Sequence, residues 1–427
     1  MKVFFSTFGC KVNQYETQEM NELLTADGHT VTTDAKEADV IIVNSCTVTA
    51  EGVRKVRQTF RKLKKENPCA VMVLTGCASQ AEPNIIDDLP ETDILMGNRT
   101  NTNIVNILSD YFKDRKPVNA HQKHLQTDSF VGTGITRFDG HTRAFLKIQD
   151  GCDRYCSYCL IPYARGFSRS KALDKIDSEL KALNNSGYKE IVFVGINLSD
   201  FGKNTPYSLP DAIKLAEKYE GIKRIRLGSL EPDHITEKMI SELSKITKLC
   251  PQFHISLQSG SDSVLKKMNR HYTANEYKEL ADNLRKAFPD ATITTDILTG
   301  FPTETEEEFL ETLEFAKSLK FEKAHIFPYS VRTGTPAAKL PQLQNNVKEE
   351  RARILTKATN ETRTQFLNSQ IGKVVNVLFE TDKSDYSEGY TENYTPVRVY
   401  DRSSRTGKII KIKITDISGD FCIGEEL

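Results

Sequence analysis

Over the first hundred residues, short apolar runs alternate with stretches in which apolar residues recur every three or four positions. VFFST, VTT, DVIIVN, AVMVLTG and DILMG read as strands, and the segment from Gln14 to Ala26, stopped by Gly28, reads as a helix. That alternation predicts an α/β unit with a doubly wound parallel sheet. A polar stretch without periodicity, 113–137, reads as a linker. A second series follows, with strands RAFLKIQ, EIVFVG, RIRLGSL, FHISLQ, ATITTDIL and KAHIFPY and helices near 172–186, 209–219, 235–247, 273–287 and 304–319. Repeated βα units of this count predict a partial parallel barrel with its active residues on loops at the strand ends. Residues 345–369 form one charged amphipathic stretch without proline, a connecting helix. From residue 370 the pattern shifts to period two in KVVNVLFE, PVRVYD and IIKIKITDI, which predicts a small antiparallel β-barrel. The expected division is 1–112, 113–137, 138–344, 345–369 and 370–427.

Length agrees with several cores, since 427 residues exceed what one usually supports. Charge is balanced at 58 basic and 58 acidic residues, which taken alone argues against a dedicated nucleic-acid coat. Its distribution changes that picture. Residues 51–66 carry seven Lys or Arg against two Glu, and 398–413 carry six against one Asp, so a polyanionic partner becomes an expectation. No apolar run reaches the roughly 18–20 residues of a membrane span. The opening MKVFFSTFGC has no basic n-region and no long apolar h-region. The expectation is a cytoplasmic protein with reduced thiols and no membrane partner.

Candidate chemistry starts with Cys152, Cys156 and Cys159 in QDGCDRYCSYCLIPYA, separated by three and two residues. Three thiolates on one short loop can hold three irons of a 4Fe-4S cube and leave the fourth iron open to substrate or cofactor. A structural zinc site wants four ligands, and the next histidine, His234, lies 75 residues beyond Cys159. Three more cysteines each follow a predicted strand: Cys10 after VFFSTFG, Cys46 after DVIIVNS and Cys77 after AVMVLTG. The strand alternation therefore brings them to one carboxyl edge, where open α/β sheets bind ligands, and a second three-cysteine cluster is expected there. Buried thiols acting as small hydrophobes are the plain alternative. The glycines in FGC and TGC weigh against it, because they permit close approach to a bulky group. Cys69, Cys250 and Cys422 read as ordinary thiols, and none of the eight histidines has a metal-like neighbour in the sequence.

With these residues in hand, the chain resembles the radical S-adenosylmethionine (SAM) methylthiotransferase family over essentially its whole length. Cys152, Cys156 and Cys159 match that family's radical SAM signature, with Tyr158 at its aromatic position. Cys10, Cys46 and Cys77 match the ligands of its auxiliary cluster, and 370–427 matches its TRAM domain. TFGCKVNQYET, VNSCTVTA and MNRHYT resemble the branch that acts on N6-threonylcarbamoyladenosine beside the tRNA anticodon. The resemblance implies two 4Fe-4S clusters, SAM as both radical source and methyl donor, the tRNA anticodon loop as partner, and an electron donor and a sulfur source. It implies a radical that removes the C2 hydrogen of the modified adenine, followed by delivery of sulfur from the auxiliary site.

The same resemblance suggests SAM contacts at Tyr158, Gly195, Asn197, Glu231, Ser256, Gln258, Arg270, Asp296 and Gly300, all in loops or at strand ends. Glu304 falls later than the general radical SAM pattern places its acidic residue. Arg57, Arg61, Lys62 and Lys65, with the TRAM cations, are expected to grip RNA, and Tyr386, Tyr390, Tyr394 and Tyr400 offer stacking surfaces for unpaired bases. Methylthiolation of another tRNA adenosine or of a ribosomal protein, and a non-catalytic iron-sulfur RNA-binding protein, remain open alternatives at this point.

Overall fold

The computed structural model describes residues 1–427. Six parallel strands, β1 (Lys2–Thr7), β2 (Thr30–Val31), β3 (Val40–Ser45), β4 (Val71–Gly76), β5 (Ile94–Leu95) and β6 (Val118–Asn119), form one sheet in the order β2-β1-β3-β4-β5-β6. Strands β3 and β4 are buried at every position, as helices on both faces require. Ile41, Val43, Met72 and Leu74 fill the core on one face, and Val40, Ile42, Val71 and Val73 the core on the other. The helix Ala50–Glu66 starts where Thr49 accepts a hydrogen bond from the Gly52 N–H at 3.0 Å. It buries Val53, Val56, Phe60 and Leu63, spaced three or four apart, and turns its cations outward.

Strand β6 lies within the span read as a linker and pairs with β5 through Ile94–Val118 and Leu95–Asn119. Two residues carry no readable period, so the pattern passed over it. The rest of that span is tied down by carboxylates of the first helix, Lys11–Ala26. Glu19 and Glu22 accept the backbone N–H groups of Thr133, Gly134, Thr136 and Arg137.

The central unit contains β7 (Arg143–Lys147), β8 (Gln149–Asp150), β9 (Arg169–Ser170), β10 (Glu190–Val194), β11 (Arg224–Leu227), β12 (Ser229–Leu230), β13 (Gln252–Ile255), β14 (Thr292–Thr299) and β15 (Lys323–Pro328). Strands β7, β10 and β11 pair in parallel, as do β12 to β15, and an Ile225–Leu249 bridge joins the two arcs. With β11 and β12 separated only by Gly228, the result is a partial (β/α) barrel. The antiparallel pair β8–β9 closes a separate loop, 151–168, at the carboxyl end of β7.

The helix Asn345–Asn368 leads into a closed barrel of β16 (Val374–Asp382), β17 (Ser387–Thr391), β18 (Pro396–Val399), β19 (Ile409–Ser418) and β20 (Phe421–Glu426). This barrel caps the amino ends of the central strands. Arg224 donates to the Tyr390 carbonyl at 2.9 Å and the Asn376 carbonyl at 2.7 Å, Thr292 donates to the Asn393 carbonyl at 2.7 Å, and Arg143 pairs with Glu380. Arg226, fully buried, is held by Glu190 at 2.9 Å; unpaired, either charge would be costly there. No helix is long and apolar enough to cross a membrane.

Candidate active site

The loops after β1, β3 and β4 carry Cys10, Cys46 and Cys77. The order of the sheet reverses between β1 and β3, so Cys10 and Cys46 flank the switch point where such sheets open a crevice. Asn13 gathers these loops. Its Oδ1 lies 4.0 Å from Cys10 Sγ and 3.7 Å from Cys77 Sγ, and its Nδ2 donates to the carbonyls of Phe8 at 2.8 Å and Ser45 at 2.9 Å. Gly9 (φ +96°) lets Cys10 approach, because a Cβ there would stand 3.1 Å from Cys46 Sγ. Gly76 (φ +98°) is tighter, since its Cβ would meet Asn44 Oδ1 at 2.4 Å and the Ser45 backbone at 2.5 Å.

Cys152, Cys156 and Cys159 occupy the loop closed by β8 and β9. The Cys159 N–H donates to the Cys156 carbonyl at 3.0 Å, and the Ile161 N–H to Cys159 Sγ at 3.4 Å. Tyr155 is left-handed (φ +48°), held by Asn269, whose Nδ2 donates to the carbonyls of Arg154 and Tyr155 at 3.2 and 3.1 Å. Burial pushes the thiols of Cys77 and Cys159 up to about 12 and raises those of Cys46 and Cys152, and all nine cysteines are unpaired. A metal would have to displace protons to bind these thiols, and its charge would supply the compensation that burial withholds.

Several expected SAM contacts gather beside this triad. Arg270 reaches Cys156 Sγ at 3.3 Å and Glu231 at 2.5 Å, and the Ser256 carbonyl accepts from Arg270 at 3.3 Å and from the Tyr272 hydroxyl at 2.9 Å. Asn197 is buried with both side-chain amide atoms unpartnered, although its main-chain N–H is fixed by Gln149 at 2.8 Å. An orphaned amide at a strand end fits a polar ligand. Gly195 sits where a Cβ would meet Gln149 Oε1 at 2.7 Å. Gln258 (φ +66°) is laced to β14 through the Asp296 carbonyl at 2.8 Å.

Three of these residues have other surroundings. Tyr158 packs its ring against the cluster of Val264, Met268 and Phe301. Gly300 (φ +66°) is required by the close helix Asn345–Asn368, for a Cβ would stand 2.5 Å from Lys348 Cγ. Glu304, read as late in the pattern, accepts from the Gly300 N–H at 2.9 Å and from Arg351 at 2.6 Å. The Asp296 side chain meets His254 at 3.1 Å, and with His325 the three offer ligand atoms within 4.8 Å of one another. The reading that no histidine has a metal-like neighbour is thereby corrected. These residues are 29 to 71 positions apart in the chain, so only alignment of β13, β14 and β15 in the barrel unites them.

Arg165, on the short helix Ile161–Arg165 that follows Cys159, was not singled out by the sequence pattern. It is fully buried, and its guanidinium donates to Cys77 Sγ at 3.2 Å, Asn13 Oδ1 at 2.6 Å and Glu16 Oε2 at 3.0 Å. Lys147 pairs with Glu16 and Asp150, each at 2.7 Å, completing a buried charge network between the cysteine triads. The only signal was an arginine in an otherwise apolar run after the loop, LIPYARG.

A cavity of about 580 Å³ lies where the three units meet. Lys11 enters from the first, Gln252, His254, Asp296 and His325 from the barrel wall, and Tyr394 and Phe421 from the terminal barrel. The expected stacking tyrosines divide accordingly. Tyr390 and Tyr394 stack at 4.4 Å and lie against Arg143, so they serve the interior. Tyr386 and Tyr400 flank Arg398 on the outside. Of the basic runs, Arg57 is paired with Asp88, Lys62 with Glu66, and Arg405 with Asp401 and Glu426, while Arg61 donates to the Asp88 carbonyl. Arg402, Lys411 and Lys413 remain exposed on the terminal barrel.

Residues 146–316 match the Radical SAM superfamily, and residues 2–97 match Uncharacterized protein family UPF0004. The chain is 37% identical over 420 residues to a threonylcarbamoyladenosine tRNA methylthiotransferase of Bacillus subtilis, covering 96% of this chain and 93% of the relative. A protein of the same name from Thermotoga maritima is 36% identical, with 99% and 96% covered. A tRNA-2-methylthio-N(6)-dimethylallyladenosine synthase of Clostridium botulinum is 33% identical, again with 99% and 96% covered. Among solved structures, the radical SAM methyltransferase TsrM of Kitasatospora setae shares the fold at TM-score 0.58 and 14% identity, covering 79% of this chain and 74% of its own.

Proposed function

Because the chain belongs to the radical SAM tRNA methylthiotransferases, we propose that it transfers a methylthio group to C2 of N6-threonylcarbamoyladenosine next to the anticodon. The observation that carries the reading is the pair of convergent cysteine triads joined by Arg165, which supports two 4Fe-4S clusters, one held by Cys152, Cys156 and Cys159 and one by Cys10, Cys46 and Cys77. When bound, such groups supply an electron to SAM at the first site and sulfur at the second.

The chain's own residues do the positioning. Arg270, oriented by Glu231 and Tyr272, lies against Cys156 and presents a fixed cation where the SAM carboxylate would lie. The unpartnered Asn197 amide offers a donor and an acceptor on the facing loop. Ser256 and Gln258 supply backbone groups at the end of β13. Asp296 borders the space for the base, and Tyr158, Gly195 and Gly300 shape the loops around SAM. The terminal barrel is tied to the amino ends of the central strands through Arg224 and Thr292 and forms one wall of the cavity there. An adenine C2 is out of reach inside a duplex, so the base enters from the anticodon loop. A reductant and a sulfur source complete the reaction, and a tRNA substrate implies work in the cytoplasm.

Anaerobic reconstitution tests the reading. The protein should take up about eight irons, release 5′-deoxyadenosine from SAM with a reductant, and convert N6-threonylcarbamoyladenosine in tRNA to a product heavier by one methylthio group. Absence of SAM cleavage would overturn the enzymatic reading. Retained thiolation after loss of Cys10, Cys46 and Cys77 would overturn the auxiliary site.

A further inference from the structure

The cavity at the junction of the three units points to the part of the substrate it takes. Resting on the tRNA reading above, we propose that this cavity holds the N6 substituent of the base, and that Lys11 pairs there with a carboxylate of that substituent. The pocket thereby selects an acidic substituent over an apolar one. Its volume, about 580 Å³, is within the range of small-ligand sites, yet only 6 of its 23 lining residues are hydrophobic. A branched hydrocarbon seated there would take water from polar groups and return nothing.

The charges in the wall are nearly all accounted for within the protein. Arg226 is bound to Glu190 at 2.9 Å and to the carbonyl of Glu392 at 3.1 Å. Arg363 is bound to Asp420 at 2.9 Å, and Asp296 to His254 at 3.1 Å. Glu322 accepts from the Ile293 N–H at 2.5 Å. Lys11 is different. Its nearest recorded partner is the Phe145 ring, 5.8 Å away, and no carboxylate pairs with it. As the first residue of the helix Lys11–Ala26 and the neighbour of Cys10, it places a cation on the cavity wall closest to the auxiliary triad. A bound carboxylate would complete that charge, while His325, without a hydrogen-bond partner beside His254, offers ring nitrogens to the hydroxyl or carbamoyl of the same substituent.

The test compares two anticodon hairpins, one carrying N6-threonylcarbamoyladenosine and one carrying its methyl ester, which differ by a single charge. The holoenzyme should bind and turn over the acid better than the ester by about tenfold or more, mainly through KM. Lys11→Met should reduce that preference to within about twofold, and Lys11→Arg should restore much of it. Hairpin binding by fluorescence anisotropy separates this proposal from the reaction itself. Acid-over-ester binding without methylthiolation would sink the reaction and support the pocket. Equal binding of acid and ester by the unaltered protein, or an undiminished preference in Lys11→Met, would overturn the pocket whatever the turnover.

Discussion

The guanidinium of Arg165 donates to Sγ of Cys77 at 3.2 Å across 88 residues of sequence, and by doing so fixes one cysteine triad against the other. Arg165 comes six residues after Cys159, on the helix that leaves the first cysteine loop. Asn98 reinforces the contact, donating to the Ala164 carbonyl at 2.7 Å and lying 4.0 Å from Cys77 Sγ. The separation of the two sites is thus set by a short rigid segment and a buried ion network rather than by a loop.

Replacing Arg165 by Met should destabilise the fold by about 3 kcal/mol, the low end for breaking a buried pair, because Lys147 still partners Glu16 and Asp150. Iron at the Cys10, Cys46 and Cys77 site should fall as well. Denaturant unfolding and iron analysis of the reconstituted protein check both, and an unchanged midpoint with full iron would remove Arg165 from this role.

Gly76→Ala should spare the first triad and damage the second. The left-handed backbone alone costs about 1–3 kcal/mol, and the added methyl has no space beside Asn44 and the Ser45 backbone. The expected result is iron content falling from about eight toward about four per chain, with a lower melting temperature. Full iron uptake would show that the loop yields to the added methyl and that Gly76 does not control the second site.

Acid should weaken the protein through His124, which packs on Gly166 at the edge of the first cysteine loop. Desolvation, then Arg169, lowers its pKa from 6.5 to about 4. The unfolded chain therefore takes up a proton that the folded chain refuses. Stability from this group is complete above pH 6.5 and is lost as pH falls toward 4, on the order of 3 kcal/mol in all. Melting temperature measured from pH 7 to pH 4 should fall more steeply in the unaltered protein than in His124→Gln.

Neutralising Lys411 and Lys413 to Gln should weaken tRNA binding and lower the salt slope by about 0.7–0.9 per lost phosphate contact. Both are exposed on β19, on alternate positions whose neighbours Ile412 and Ile414 point into the barrel. Filter binding across a salt series reads the effect. A slope that does not change would place the RNA elsewhere.

Periodicity made the larger elements legible. The strands β3, β4, β10 and β14 and the helices Ala274–Ala287 and Glu306–Leu319 emerge near their expected places because each buries a continuous apolar face. Capping boxes at Thr273 and Thr305 reinforce those two helix starts locally. Strands β6, β9, β17 and β20 were not read. The first two have two residues each, and SEGYT and FCIGEE interrupt their alternation with Gly389 and Gly424, whose Cβ atoms would stand 2.3 Å from the Leu378 carbonyl and from Ile412 Cγ2.

The sequence by itself picked out the two sets of cysteines proposed to hold the chemistry: three within eight positions, and three more each placed just after a buried strand. Strand order, once guessed, carries such residues to one edge. Only the tertiary structure decided what lies between them. Lys11, His254, Asp296, His325 and Tyr394 come from three different parts of the chain, and no spacing among them marks them as neighbours. Their meeting depends on how the terminal barrel closes the central strands and how the first sheet docks by Arg165. Those contacts are long-range electrostatic and hydrogen-bonded pairings, which leave no period in the chain.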